Sequence, residues 1–254
     1  MSGSVVRLPV PPALRAASPA RVGLGRAGGA QPTAARLELA AAHALARDAV
    51  HSPSPSSLPG LGDAPVVRSR AADRQEYLTR PDLGRLPDPG DLAALERDDA
   101  DVGVVLADGL SPAALAEHGP GLWDALSAAL AEADGGNWSV GRPVVAQQSR
   151  VALADHIAQA RGWETVIMVI GERPGLSVPH SLGLYITHRP HAGIGDGMRN
   201  CISNVHPPDG LGYRRAADIT VGLITEMRRL GMSGTAVKDM IGAGGGPAMV
   251  EGAG

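Results

Sequence analysis

Phenylalanine is absent from this 254-residue chain, which holds only three Trp and three Tyr. With 44% apolar residues it can bury a core, but that core must be aliphatic, and a stacking platform for nucleic-acid bases is not on offer. Cys201 is the single cysteine. It cannot form an internal disulfide or make a zinc site by itself, and such a count fits a reducing cytoplasm. Lysine is nearly missing as well, with Lys238 alone against 22 arginines. The net charge of −3 leaves no basic footprint for nucleic acid. No long apolar run exists either. Val166 to Ile170 is the longest purely aliphatic stretch, far short of the roughly 20 residues that cross a bilayer. A soluble protein without nucleic-acid or membrane partners is expected.

Acid is missing from the first 37 residues, which carry Arg7, Arg15, Arg21, Arg26 and Arg36. Pro9, Pro11, Pro12 and Pro19 break any long helix there, and no apolar segment with a cleavage site marks a secretory signal. Residues 1–32 are expected to be a flexible arm. Within it, Gly23 to Gly28 spells G-x-G-x-x-G, but no credible strand precedes it and Pro32 interrupts the helix a dinucleotide site requires. A turn leading into the first helix is the better reading.

What the sequence does contain is periodicity. Thr33 can cap a helix to about Val50, with Leu37, Ala41, Ala44 and Leu45 as its packing stripe. Residues 33–100 are expected to be a helical N-terminal domain, interrupted by the Ser/Pro-rich stretch from Ser52 to Ser57. From Asp101 the pattern alternates. Strands are predicted at Val102 to Leu106, Pro143 to Gln147, Thr165 to Ile170 and Leu182 to Thr187, with a broken helix at Ser111 to Leu130 and further helices at Ala152 to Ala160 and Tyr213 to Leu230. The fold class is α/β, a helical N-terminal part followed by a Rossmann-like, doubly wound and mostly parallel sheet over residues 101–241, with a disordered Gly/Ala tail at 242–254. Such sheets bind ligands at the loops leaving the carboxyl ends of their strands. Those loops are Ala107 to Ser111, Gln148 to Val151, Gly171 to Ser177 and His188 to His206.

Catalytic constellations are hard to find. Pro179 to Gly183 keeps only part of a nucleophile elbow, and its serine enters a strand instead of leaving one. His188, His191 and His206 lack a carboxylate or second thiol at ligand spacing, so they are expected to be solvated loop residues. The Asp-x-His-x-x-Gly pattern of proteins that supply a histidine to cobalamin is also missing. Two stretches are informative. Gly171 to Leu176 follows the most β-like strand, so Glu172 emerges at its carboxyl end, either as a ligand contact or in a structural turn where it pairs with an arginine. Arg199 to Asn204 sets Cys201 in a polar loop, where it could simply be a small packed thiol.

At these residues the chain resembles the small (light) subunit of ethanolamine ammonia-lyase. The matching blocks run in family order: Arg21 to Gly28, Ala42 to His51, Tyr77-Leu78-Thr79-Arg80-Pro81-Asp82-Leu83-Gly84-Arg85, Asp108 to Ser111, Val166 to Leu176, Ser181 to Tyr185 and Asn200 to Asn204. The resemblance implies a subunit of an adenosylcobalamin-dependent lyase that converts ethanolamine to acetaldehyde and ammonia. It implies a large-subunit partner that carries substrate and radical chemistry, in a hetero-oligomer with several copies of each chain. It further implies cofactor contacts at Val151, Glu172 and Cys201, with no catalytic or metal-ligating residue in this chain. The setting implied is cytoplasmic, or a bacterial microcompartment in organisms that have one. His156 departs from the glutamine expected in relatives, and Gly197-Met198 stands where an acid is expected. The alternatives are a stand-alone Rossmann-type dinucleotide-binding oxidoreductase and a purely structural subunit.

Overall fold

The computed structural model describes residues 10–17, 20–55 and 57–237. Residues 1–9 and the expected tail at 242–254 lie outside them. In chain order the elements are α1 (Pro12–Ala16), α2 (Thr33–His51), β1 (Val66–Arg68), α3 (Arg74–Thr79), α4 (Pro89–Ala93), β2 (Val102–Ala107), α5 (Pro112–Glu132), β3 (Val144–Gln147), α6 (Leu153–Arg161), β4 (Thr165–Gly171), β5 (Leu182–His188), β6 (Asn200–Val205) and α7 (Tyr213–Leu230).

Six strands form one sheet in the order β1-β3-β2-β4-β5-β6. The first four are parallel, while β5 pairs antiparallel with both β4 and β6. Two central strands, β2 and β4, are buried along their whole length, because helices cover both faces. Val104, Leu106, Ile167 and Val169 pack in the same cluster as the apolar residues of α5 and α7. Val105, Ala107, Val166, Met168 and Ile170 point the other way, toward Leu153, Ile157 and Ala158 of α6. The chain leaves β2 for β3 on one side and returns to β4 on the other. In doubly wound sheets such a reversal of strand order marks the carboxyl ends of the flanking strands, here β2, β3 and β4, as the expected place for a ligand.

Local chemistry fixes the details. Gly103 lies inside β2 because a β-carbon there would overlap the Trp163 indole. Ser111 caps α5 by accepting from the Ala114 N–H at 3.3 Å. Left-handed Gly162 and Gly231 end α6 and α7. Pro120 sits within α5 without splitting it, so the broken helix expected there is one continuous element. Beside it, Gly121 leaves room for the Tyr213 ring.

Three expectations need correction. The short strand β1 arises within the stretch read as helical and forms an edge of the sheet through its pairing with β3. Helix α2 buries Ala35, Ala42 and Ala49, whereas Leu37 and Leu45 are 63% and 60% exposed. Alanines seven residues apart give a flat edge that lets the backbone approach closely, and this edge packs in place of the leucine stripe. Residues Asn200–Val205, read as loop, are strand β6.

Candidate functional site: the crevice at the carboxyl ends of the strands

Asp108 follows β2 directly and is fully buried. Its carboxylate accepts from the Ser54 hydroxyl, from the Gln148 N–H at 2.8 Å and from the Ser149 N–H at 3.2 Å. Arg74 Nη1 stands 3.8 Å away. Burial pushes the Asp108 carboxyl up, and these donors pull it back. The effect is mechanical too: one side chain ties the turn after β2 to the loop between β3 and α6. On the other side the Leu110 N–H donates to Gly171 O at 2.9 Å. A β-carbon at Gly171 would overlap the carbonyls of Asp108 and Ser111, so only glycine admits this approach.

The segment Tyr77 to Arg85 braces the same loop. Tyr77 is buried, its hydroxyl donates to Ser149 O at 3.0 Å, and its phenol is pushed up to about 12, first by desolvation. The guanidinium carbons of Arg74 and Arg150 lie 4.8 and 4.5 Å from its ring centroid. Gly84 fits against this pair, since a β-carbon there would come within 2.9 Å of Tyr77 Cε2 and 3.0 Å of Arg150 Cγ. Its carbonyl accepts from the Arg150 N–H at 2.8 Å.

Next to this brace is a cavity of about 350 Å³, lined by Arg85, Arg150, Val151, Tyr185, Arg199 and Cys201 among others. Val151 enters it just ahead of α6. Cys201 reaches it from β6, where it is opposite Tyr185 in the strand register and exposed. The polar-loop expectation for Cys201 is therefore wrong. An alternating buried and exposed edge strand presents the thiol instead.

Glu172 leaves the end of β4 as expected and donates its N–H to Ser181 O at 2.9 Å. Its carboxylate accepts from the Tyr185 hydroxyl at 3.2 Å. Burial raises the Glu172 carboxyl, opposed by that bond and by the Arg173 N–H. Tyr185 is raised by burial and then by Glu172 and Cys201 beside it. Among the described residues Glu172 forms no ion pair, so the arginine-paired turn is not what forms. Tyr185 thus connects all three sequence-derived residues: it lines the cavity with Val151 and Cys201 and holds Glu172.

The rear of the cavity is an ion pair. Arg199 Nη1 and Nη2 each meet an Asp155 oxygen at 2.7 Å, and Arg199 also donates to Thr187 Oγ1 at 3.0 Å. Sequence reading missed Tyr185, Arg150, Asp155 and Arg199 as site-forming groups. A signal existed for Arg150, a cation in a strand-to-helix loop, and for Tyr185, two residues beyond Gly183 on the same strand face.

The histidines behave differently from expectation. His188 is buried, with Nδ1 2.9 Å from Thr165 Oγ1, and His206 is buried against Asn204 Oδ1 at 2.7 Å. Only His191 of the three is exposed. No group of three or more His, Cys, Asp or Glu able to hold a metal occurs among the described residues. No helix among them is long and apolar enough to cross a membrane.

The profile of one family, Ethanolamine ammonia-lyase light chain (EutC), matches residues 11–238. The chain belongs to this family. Its relatives include the ethanolamine ammonia-lyase small subunit of Rhodococcus erythropolis, 52% identical over 233 residues that cover 89% of this chain and 88% of that one. The small subunit of Azotobacter vinelandii is 45% identical over 254 aligned positions, covering 92% of each chain. That of Ralstonia nicotianae is 44% identical, covering 89% of this chain and 87% of its own. Membership of a lyase light-chain family leaves the dinucleotide oxidoreductase unsupported. In the light chain described here the Gly23 to Gly28 segment is irregular and ends in an isolated bridge between Ala27 and Ala30.

Proposed function

We propose that this chain is the small subunit of an adenosylcobalamin-dependent ethanolamine ammonia-lyase, an enzyme that converts ethanolamine to acetaldehyde and ammonia. On this reading the chain binds and covers the cofactor through a Rossmann-like sheet, while a large subunit carries the substrate and the radical chemistry. The observation that carries it is convergence. Val151 and Cys201 line one cavity, and Glu172 is joined to it through Tyr185.

The residues present suit a corrinoid. A cavity of about 350 Å³ open to solvent can take an edge or an arm of so large a molecule but not the whole of it, which fits a half-site completed by a partner. Val151 offers apolar surface, Cys201 a small polarisable contact, and the Glu172 carboxylate accepts hydrogen bonds from amide or ribose groups. Adenosylcobalamin supplies the radical chemistry when bound. This chain's residues orient it and keep water from one side of it.

Relatives named as small subunits support a large-subunit partner; we place the two in a hetero-oligomer with several copies of each. We place the assembly in the cytoplasm, or in a bacterial microcompartment where the organism has one. The test is cofactor affinity in the two-subunit complex. Val151→Asp and Glu172→Ala should each raise the adenosylcobalamin concentration needed for half-saturation about tenfold or more, for loss of a charged hydrogen bond or burial of a charge. Unchanged values in both would support a purely structural subunit.

A further inference from the structure

Arg150 is the cation at the cavity for which the described residues supply no counter-ion. The other two arginines of the lining are engaged: Arg199 by buried Asp155, and Arg85 by Asp196, whose Oδ2 is 3.8 Å from Arg85 Nη2. No carboxylate among the described residues lies within ion-pair distance of the Arg150 guanidinium. What it has instead is the Tyr77 ring, and a 3.4 Å bond from Nη2 to the Tyr77 carbonyl. Its Nε is buried and has no hydrogen-bond partner among the described residues.

Leaving that one buried donor unmatched costs the hydrogen bond it had in water, while the rest of the half-buried guanidinium faces the cavity. The fold nevertheless invests in holding it. Tyr77, Gly84 and the Ser149 carbonyl form a frame around one arginine, through ring contact, close glycine approach and the Tyr77 hydroxyl bond. A planar fork held at a cavity wall is the usual device for recognising an oxyanion.

We propose that Arg150 forms an anion subsite for a phosphodiester, namely that of the cofactor's nucleotide tail. The assignment rests on the cobalamin reading above, and adds to it which part of the cofactor this chain holds. The phosphodiester is the anionic group in that tail, and Arg150 adjoins Val151, so both contacts fall to one loop. Asp196 on the cavity rim is held between Arg85 and Arg199 and does not compete for Arg150.

The test uses the two-subunit complex and two corrinoids, adenosylcobalamin and adenosylcobinamide, the second of which lacks the nucleotide tail and its phosphodiester. Equilibrium dialysis followed by visible absorbance gives both affinities. Arg150→Met should weaken adenosylcobalamin at least about tenfold, flatten the salt dependence of its binding, and leave adenosylcobinamide within about twofold. Arg150→Lys, which keeps the charge without the fork, should show a smaller loss with the same selectivity, and it carries the test if the methionine variant does not fold. Equal losses for both corrinoids, or no loss for either while Val151→Asp weakens both, would overturn the subsite and leave the cobalamin reading intact. If the Arg150 variants, Val151→Asp and Glu172→Ala all leave both affinities unchanged, the cobalamin reading itself fails.

Discussion

The Tyr185 hydroxyl donates to Glu172 Oε1 at 3.2 Å and so couples the middle of β5 to the carboxyl end of β4. The contact depends on Gly183, two residues earlier on the same face, where a β-carbon would overlap the Glu172 carboxylate oxygen. Gly183→Ala should therefore displace the tip of a flexible side chain while the sheet survives. The expected outcome is a roughly tenfold weaker cofactor affinity in the complex, the value of one charged hydrogen bond, with near-native circular dichroism. Unaltered affinity would mean that the position of the carboxylate is immaterial.

The raised Glu172 carboxyl makes a second prediction, on pH. The folded chain keeps this proton at pH values where the unfolded chain has lost it, so this group's contribution to stability falls as pH rises above its ordinary value of 4.5. Glu172→Gln removes the titration and keeps the acceptor for Tyr185. Thermal melts of the chain should show little difference from wild type near pH 4 and a stabilised variant near pH 7. A variant less stable at neutral pH would show that the ionised carboxylate is itself a net support of the fold.

Asp155 and Arg199, with side chains 1% and 3% exposed, form a two-pronged pair behind the cavity. Removing one partner strands a buried charge, so Arg199→Met should cost about 3–5 kcal/mol in denaturant unfolding. The double variant Asp155→Leu, Arg199→Met should recover most of that loss, because two apolar groups need no solvation. A double variant as unstable as the single one would assign the cost to the bonds Arg199 makes with Thr187 and the Ile194 carbonyl instead.

Much of this architecture was legible in the chain because it rests on apolar runs. Val102 to Ala107 and Thr165 to Gly171 are buried on both faces, and that requires continuous aliphatic residues. Edges carry no such mark. In β6 the polar Asn200, Ser203 and Asn204 hide a strand that is paired on one side only, and β1 is three residues long. Along α2 hydrophobicity favours the leucines as the packing face, but close approach of the backbone favours the smaller alanines, and it is they that are buried. For the site, spacing pointed to Glu172 and the resemblance pointed to Val151 and Cys201. Their meeting around Tyr185 needed the strand register, which no single-sequence pattern encodes.

The Tyr77 brace gives a prediction for the Tyr77 to Arg85 motif. Gly84→Ala would press a methyl group against both Tyr77 and Arg150, and overpacking of this kind costs about 1–3 kcal/mol. Chemical denaturation measures the loss. If Arg150 is displaced in consequence, adenosylcobalamin affinity falls while adenosylcobinamide affinity holds. A neutral Gly84→Ala would show that the ring and the arginine can yield without cost.

The division of labour between subunits is the central claim, and steady-state turnover of ethanolamine tests it most directly. Adenosylcobalamin is supplied to this chain alone, to the large subunit alone and to their mixture, with acetaldehyde and ammonia as the readout. The account predicts product from the mixture and none from this chain by itself at any cofactor concentration. Turnover by this chain alone, or a large subunit whose activity and cofactor affinity are unaffected by adding it, would contradict the account.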